Sequence, residues 1–450
     1  MARERPINAD VPADGPGAEK AGPTEAPKPA APSAPPPPPA PRRRRQVPGA
    51  LKGIAALVLL AIVFIVAAVI GGSGGSGEKE PQGPAPVTAG GGREGAKAPA
   101  AQAPTELGYP GFATNNTTRI GGSDAAENAA ATALAVFPAT TASQRPEAVV
   151  LADEGSWQAA LAASVLMASP LRAPLLLSSA DELPDASAEA LEALDPAGGP
   201  ESGGTAIFAI GRVAGAEGRK TTRIAPGDPA AMAAAIAELR DRLLGDAPAA
   251  FVLAPEAAPA FAMPAAAWAA RSGDPVLFSA ADKLPKATAE ALKRHAKAPV
   301  YVLGPSSAIS SAVVREIEKG GTKVHRVSGE DPVANAIAFA RYANGGFGWN
   351  VNDPGHGFVL ARDEDPLDAA AAAPLSASGT WGPLLLSDSA ATLPPAVRDY
   401  FLDVKPGYTN DPTRAFYNHV WVIGDQEAID VNQQAEVNEL AELAKIGGEE

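Results

Sequence analysis

Short runs of apolar residues, each bounded by turn residues, recur along the chain, as at Val149–Ala152, Phe251–Ala254 and Phe358–Ala361. The apolar residues do not alternate with polar ones, which is typical of strands buried on both faces of a parallel sheet. Stretches of helical length and composition lie between the runs, for example Glu127–Phe137 and Val333–Tyr342. Strands that alternate with helices predict crossover units, and so an α/β fold with short parallel sheets.

The whole pattern occurs three times, with a period of 104 and then 103 residues from Arg119 to Arg223 to Arg326. Each copy opens with an Arg followed five residues later by an Asp. The first apolar run comes next, then a second run opened by Pro, a Leu-Pro pair, and a third run that ends in Gly. Five landmarks in one order, three times over, identify a repeated module. We predict repeat 1 at 112–218, repeat 2 at 219–322 and repeat 3 at 323–450.

The copies differ in the segments between the shared landmarks. The first repeat has too few residues after Gly211 for a full closing helix. In the second repeat, Ser306 or Ser307 is expected to cap such a helix, which would run to Lys319. The third repeat carries an insertion, Lys405–Asn418, before its last strand. The repeats are therefore expected to share strands and to differ in their loops.

The chain before the repeats divides into three segments. Residues 1–48 are rich in Pro, Ala and charge and are expected to be a disordered tail. Residues 54–70 contain no charge, Gly or Pro, and with their flanks they can span a bilayer core of roughly 30 Å. We predict a single transmembrane helix at 49–72, with a buried core helix and a cleaved signal peptide as alternatives. Residues 73–111 are expected to be a flexible Gly/Pro/Ala linker.

The distribution of charge predicts how this anchor is oriented in the membrane and which classes of partner are excluded. Four arginines at 42–45 precede the apolar run, which places the N-terminus in the cytoplasm and the repeats outside the cell membrane. The net charge is +3 before residue 49 and −17 after it. An acidic exterior argues against nucleic acid as a partner.

The motifs of common enzymes are missing from the sequence. It has no cysteine, no Gly-x-Ser-x-Gly, no His-Glu-x-x-His and no Walker loop, and no two of its four histidines have ligand spacing. We therefore expect no catalytic residue, no cofactor and no metal.

Charged residues at repeated positions are the candidates for ligand binding. The Asp that ends each opening motif either caps the following helix or contacts a ligand. The Arg that begins it either pairs with a phosphate or carboxylate of a polymer or forms a structural ion pair. Asp368 belongs to an acidic cluster with residues 363–365, which either holds a divalent cation or is a solvated loop. The candidates are Arg119, Asp124, Arg223, Asp228, Arg326, Asp331 and Asp368.

Tryptophan side chains are a second kind of candidate, because their rings can stack on sugars. The five are Trp157, Trp268, Trp349, Trp381 and Trp421. Trp421 lies within an apolar strand and is expected in the core.

The ordered landmarks resemble the cell wall-binding type 2 repeat of Gram-positive bacteria. That family shows an Arg-Ile/Leu-x-Gly-x-Asp opening, an Asp-Ala-Leu helix start, a Pro-led apolar strand, a Leu-Pro pair and a strand ending in Ile-Gly-Gly. The resemblance covers three copies from Arg119 to the C-terminus. It implies α/β modules in a pseudo-threefold arrangement that bind secondary wall polymers non-covalently and have no catalytic role.

This chain departs from the family pattern at three motifs. One is the closing Gly-Gly, whose second Gly is replaced by Arg212, Pro305 and Asp425. The Arg-Tyr pair that usually follows the opening Asp is missing in all three copies. The Asp-Ala-Leu helix start is kept loosely, as Asp368-Ala369 in the third copy and Gln158–Leu161 in the first.

The sequence therefore predicts a membrane-tethered, extracytoplasmic module that binds a cell-wall polymer, either a polysaccharide or a secondary wall polymer. The alternative is a scaffold or interaction subunit of a cell-envelope complex that has lost polymer binding and has an envelope protein as its partner.

Overall fold

The structure is a computed structural model that describes residues 112–378 and 381–446. The predicted tail (1–48), transmembrane helix (49–72) and linker (73–111) lie outside these residues and stay predictions. Within the two described ranges, no helix is both long and apolar enough to cross a membrane.

Helices and short strands alternate along the described chain, which confirms the predicted α/β class. The strands are β1 (Phe112–Ala113), β2 (Thr117–Ile120), β3 (Val149–Asp153), β4 (Leu175–Ser178), β5 (Ile207–Ile210), β6 (Thr221–Ile224), β7 (Phe251–Pro255), β8 (Val276–Ser279), β9 (Val300–Leu303), β10 (Val324–Val327), β11 (Gly357–Arg362), β12 (Leu384–Ser387), β13 (Gly407–Tyr408), β14 (His419–Ile423) and β15 (Ala444–Lys445). The α-helices are α1 (Ala125–Val136), α2 (Trp157–Ala163), α3 (Asp185–Leu194), α4 (Pro229–Leu244), α5 (Pro259–Ala262), α6 (Pro264–Ser272), α7 (Lys286–Arg294), α8 (Ser311–Lys319), α9 (Pro332–Arg341), α10 (Pro366–Ala377), α11 (Pro395–Asp403) and α12 (Val431–Ala441).

Three sheets each contain four parallel strands in the same spatial order: β4-β3-β5-β6, β8-β7-β9-β10 and β12-β11-β14-β2. The central pair of each sheet comes from the first and third apolar runs of a repeat. These central strands are mostly buried, as continuous apolar sequence predicts, although His419 and Trp421 of β14 are half-buried. Strand β1 adds an antiparallel edge beside β2.

The sheets are offset by one strand from the sequence repeats. The strand that carries Arg223 pairs with β5 of the preceding repeat, and the strand that carries Arg326 pairs with β9 of its preceding repeat. The strand with Arg119 has no earlier repeat and pairs instead with β14 near the C-terminus. The boundaries at 218/219 and 322/323 thus mark the sequence period, and each sheet extends one strand past its repeat.

Opening helices interlock neighbouring repeats. Each of α1, α4 and α9 follows a strand that lies in the preceding sheet, yet packs against the Pro-led strand of its own repeat, β4, β8 or β12. Every repeat therefore gives one strand to the sheet before it and one helix to its own sheet. Because β2 joins β14, the first repeat interlocks with the last.

Alanine-rich helices meet at the centre of the three repeats. Helices α2, α6 and α10 each follow the first strand of a repeat, and they contact one another, with the 3₁₀ turn Ser164–Met167 extending α2. Alanines 369–373 of α10 are all buried. Small side chains let helix axes approach closely, so these alanines have a packing role.

One predicted helix start was wrong. Helix α8 begins at Ser311 with Ser310 as its cap, and not at Ser306 or Ser307. The intervening residues form a turn whose Ile309 carbonyl oxygen accepts a hydrogen bond from the Arg326 side chain. That hydrogen bond holds the segment in a turn and delays the helix by one turn.

Candidate functional site

The three repeated aspartates cap the helices that follow them. The carboxylates of Asp124, Asp228 and Asp331 accept hydrogen bonds from the backbone N–H three residues later, at 2.8, 2.8 and 2.7 Å. Each carboxylate also faces the positive end of a helix dipole. The structure thus shows the capping role, one of the two that the sequence left open.

Arg119 is buried and bonds to the backbone of the last repeat. Its Nη1 donates to the carbonyl oxygens of Gly424 at 2.9 Å and Asp425 at 2.5 Å, and its Nη2 donates to Ile429 at 2.5 Å. Its Nε donates to the Gln434 side chain at 3.1 Å. Burial lowers the pKa of Arg119 to about 10, which leaves the side chain charged at neutral pH. These bonds favour the structural interpretation of this arginine.

Only two of the three repeated arginines make such bonds within the described chain. Arg326 donates from Nη1 to the Gly304 carbonyl oxygen at 2.6 Å and from Nη2 to Ile309 at 2.7 Å. Arg223 is exposed. The first repeat has lost the turn after Gly211 that supplies these carbonyl groups in the other two.

Asp368 lies buried where the first and last repeats meet. Its carboxylate accepts a 2.8 Å hydrogen bond from Asn128 Nδ2, and Asn128 Oδ1 accepts one from the Gly122 N–H at 2.8 Å. Burial, opposed by the Asn128 bond and reinforced by Asp365 and Asp124, raises the pKa of Asp368 to about 7. This candidate therefore joins two repeats in the described structure.

The rest of the acidic cluster follows β11. The Asp363 N–H donates to the Ser387 carbonyl oxygen at 3.1 Å, and Glu364 pairs with Arg362 at 3.0 Å. Burial raises the pKa of Asp363, an effect that Arg362 opposes. Among the described residues, no group of three or more acidic or histidine side chains is arranged to hold a metal ion. The geometry here matches a loop held by its own hydrogen bonds.

The predicted candidates are divided among the three sheets. Arg119, Asp124 and Asp368 lie at the third sheet. Arg223 lies in the last strand of the first sheet, and Asp228 comes just after that strand. Arg326 and Asp331 hold the same two places at the second sheet. The structure therefore does not bring all seven residues into one site, and a ligand role for them stays a prediction.

A cleft lined by aromatic side chains lies between the second and third repeats. This first cleft has a volume of about 560 Å³, and Trp268, Trp349 and Trp381 line it with His356. The Trp268 Nε1 donates to the buried carboxylate of Asp274 at 2.9 Å. The Trp349 Nε1 is buried and has no hydrogen-bond partner among the described residues. The cleft thus combines ring faces with one unused buried donor.

A second cleft adjoins the first and shares His356 and Trp381 with it. Its volume is about 490 Å³. It is lined by Gly355, His356, Gly357, Trp381, Tyr417, His419 and Trp421. The lining residues lie at or just before the starts of β11, β12 and β14. The cleft is therefore at the amino edge of the third sheet, opposite the acidic cluster.

Trp381 stands at the junction of the two clefts with its side chain 53% exposed. Its φ of 57° lies in the left-handed region, which is uncommon for a bulky residue. The following Gly382 has no room for a side chain, because an added Cβ would lie 1.6 Å from the Gly357 carbonyl oxygen. The Arg271 guanidinium lies 4.7 Å from the centre of the Trp381 ring. The backbone is thus constrained where it presents an exposed indole.

The sequence identified the tryptophans of this site and missed how they are assembled. Trp421 was expected in the core, but it is half-buried, packing on the core and lining the second cleft. Tyr417 is 56% exposed and lies in the insertion of the third repeat. That insertion was the signal in the sequence that marked this edge.

A family comparison matches the middle of the chain. Residues 223–314 match the model of the family described as cell wall binding domain 2 (CWB2). The matched segment begins in β6 and extends into α8, so it contains most of the second repeat. No curated protein matches the sequence.

Two solved structures share the fold. Cwp6 from Clostridium difficile superposes with a TM-score of 0.58 at 18% identity, over 73% of this chain and 48% of that one. Cwp8 from Clostridium difficile superposes with a TM-score of 0.55 at 21% identity, over 73% of this chain and 52% of that one. This chain thus spans about half the length of each. The similarity of this chain to the cell wall binding domain 2 family is thus carried by its second repeat.

Proposed function

We propose that this protein is a membrane-tethered module that binds a cell-wall polymer non-covalently and has no catalytic role. The observation that carries the proposal is the match of residues 223–314 to the CWB2 family, together with the same sheet in the flanking repeats. The family match supports a cell-wall binding or cell-wall associated role. The three interlocked units would surround a pseudo-threefold axis, and residues 49–72 would anchor them to the membrane.

Sedimentation with insoluble cell walls tests this function. The full chain, kept in mild detergent, is mixed with protein-free Gram-positive walls and centrifuged. We expect saturable enrichment in the pellet over an unrelated acidic protein of similar size. Enrichment no greater than that of the acidic control would overturn the proposal.

The acidic loop after β11 favours a second candidate function. Glu364 and Asp365 are exposed at the carboxyl edge of the third sheet, where they would repel an anionic polymer at low salt. A scaffold subunit of an envelope complex would not need such a polymer. Crosslinking in intact cells would then give a stoichiometric protein partner, and sedimentation with walls would be absent.

A further inference from the structure

We propose that the two adjoining aromatic clefts, one between the second and third repeats and one in the third, bind an uncharged stretch of glycan, with Trp381 and Tyr417 as the surfaces on which pyranose rings stack. This inference rests on the proposed function and deepens it, since it assigns a place and a ligand chemistry to polymer binding. It also places binding at the second and third repeats and not equally at all three.

Size and continuity fit an extended ligand. Volumes of about 560 and 490 Å³ fall within the range of about 300–1,000 Å³ that is usual for small-molecule sites. His356 and Trp381 line both clefts, so a chain of sugar rings can pass from one to the other. A linear polymer needs such an open, continuous site.

Exposed ring faces supply the apolar half of sugar recognition. Trp381, Tyr417 and Phe416 are respectively 53%, 56% and 70% exposed, and they lie on two segments that meet at this edge. The axial C–H bonds of a pyranose form an apolar face that suits the electron-rich face of an aromatic ring. A cluster of exposed aromatic rings on a surface marks an interaction site.

Polar side chains beside these rings supply the other half of sugar recognition. Trp349 lines the first cleft, and its buried Nε1 has no hydrogen-bond partner among the described residues. In the second cleft, His419 Nε2 lies 3.0 Å from the Thr118 hydroxyl, and His356 Nε2 lies 3.1 Å from an Asp353 carboxylate oxygen. Burial lowers the pKa of His419, so its ring is neutral at neutral pH. A neutral imidazole can both donate and accept, so His419 can pair with hydroxyl groups.

The distribution of charge selects an uncharged ligand. Among the described residues, no Asp, Glu, Lys or Arg lines the second cleft, in a chain whose net charge is −14. Arg271 lines only the first cleft, where it lies against the Trp381 ring, beside the buried Asp274. An anionic polymer would find no Lys or Arg in the second cleft, whereas a neutral glycan needs no counter-charge there.

The strained backbone at Trp381 and the inserted residues 405–418 are further signs of a preformed binding site. Left-handed conformations of bulky residues persist where the surroundings hold them, and they cluster at binding sites. Trp381 has that conformation, and Gly355 leaves room for Phe416, whose Cβ would lie 2.9 Å from an added Cβ. Residues 405–418, which occur in the third repeat alone, bring Tyr417 to the cleft, where its hydroxyl donates to Pro412 at 3.1 Å.

The test titrates the full chain with two probes, the neutral and the anionic polysaccharide fractions of protein-free walls, and follows tryptophan fluorescence. Variants are Trp381→Ala, Tyr417→Ala and the conservative Trp381→Phe. Leu402→Ala is the matched control, because Leu402 is equally exposed, at 50%, and lines neither cleft. Since the exposed rings make few core contacts, unfolding midpoints of all variants should match the parent chain.

We expect the neutral fraction to bind saturably, with affinity reduced about tenfold or more in each alanine variant, as for removal of a central aromatic contact. Trp381→Phe should keep most of the affinity, and Leu402→Ala all of it. If the chain sediments with walls but the alanine variants bind like the parent, or only the anionic fraction binds, this inference fails and the proposed function stands. If the parent chain does not sediment with walls, the proposed function itself fails.

Discussion

Asn128 and Asp368 are 240 residues apart in sequence and joined by a buried 2.8 Å hydrogen bond from the Asn128 amide to the Asp368 carboxylate. Asn128 lies in the first helix of the first repeat, and Asp368 lies in the central helix of the last. The equivalent amide in the third repeat, Asn335, approaches the Phe261 carbonyl oxygen at 3.5 Å. The second repeat has Met232 at this position. Of these three equivalent positions, Asn128 is thus the one whose side chain pairs with a buried carboxyl group in the described structure.

That carboxyl group should make stability depend on pH. The pKa of Asp368 is about 7 in the folded chain and about 3.9 when unfolded, so the folded state holds the proton more tightly. Between these values the folded state binds more protons, and its stability falls as pH rises. Asp368→Asn keeps an acceptor for Asn128 and removes the titration. By pH 8, we expect the free energy of unfolding of the variant to exceed that of the parent by a few kcal/mol, on the order of the largest difference that the pKa shift allows.

Urea unfolding of both chains across pH 4 to 8 measures this difference. The free energies of unfolding should nearly coincide at about pH 4 and diverge as pH rises through the window set by the two pKa values. A difference in free energy of unfolding that stays constant with pH would contradict the raised pKa of Asp368 in the folded chain.

The three equivalent arginines should differ greatly in their contribution to stability. Arg119→Met removes a buried donor and leaves carbonyl groups of Gly424 and Ile429 without their partner, so it should cost about 3 kcal/mol or more. Arg223→Met, the matched control at the exposed position, should stay within about 0.5 kcal/mol of the parent. Arg326→Met should fall between them. Equal costs at all three sites, measured by chemical denaturation, would show that these bonds are not structural.

Local sequence could predict the elements of this fold because local physics determines them. Continuous apolar runs became buried strands, and an Asp before an alanine-rich stretch became a helix cap, as at Asp228. The order of strands could not be read in the same way. The residues of β2 have the same local pattern as those of β6, yet β2 pairs with a strand about 300 residues away, because only the whole fold decides which edge is free.

The site was predictable in its parts and not in its assembly. Arg119 appeared as a charged candidate for ligands, but its acceptors are carbonyl groups of a distant turn that no local pattern reveals. Trp381 and Tyr417 come from separate loops of the third repeat, so their meeting at one cleft depends on the sheet beneath them. Loop conformation is set by such contacts, and sequence alone carries little of that information.

Removal of the N-terminal strand should loosen the last repeat. Deleting residues 1–121 takes away the Asn116 and Ile120 carbonyl oxygens that accept from the N–H groups of Val420 and Gly424. We expect these amides to lose protection in hydrogen exchange, while residues 251–255 of the second sheet keep most of theirs. Deletion of residues 1–111 is the control and should leave protection unchanged. Full protection of the β14 amides after the longer deletion would contradict the claim that β2 supports the last repeat by pairing with β14.

Helix capping gives a smaller and local effect. Asp228→Ala removes the acceptor for the Ala231 N–H and should destabilise the chain by about 1 kcal/mol. Asp228→Asn retains a capping oxygen and should cost less than half of that. Thermal unfolding of the two variants measures the difference. An equal loss in both would mean that the charge, and not the cap, matters at this position.

Calorimetric titration of the full chain with polymer released from protein-free walls tests wall-polymer binding most directly. The titration is made at about 0.1 M and about 1 M salt, since screening weakens ion pairs far more than ring stacking. We expect saturable binding of similar affinity at both concentrations. If saturable binding is missing at one or both of these salt concentrations, wall-polymer binding of this kind is contradicted.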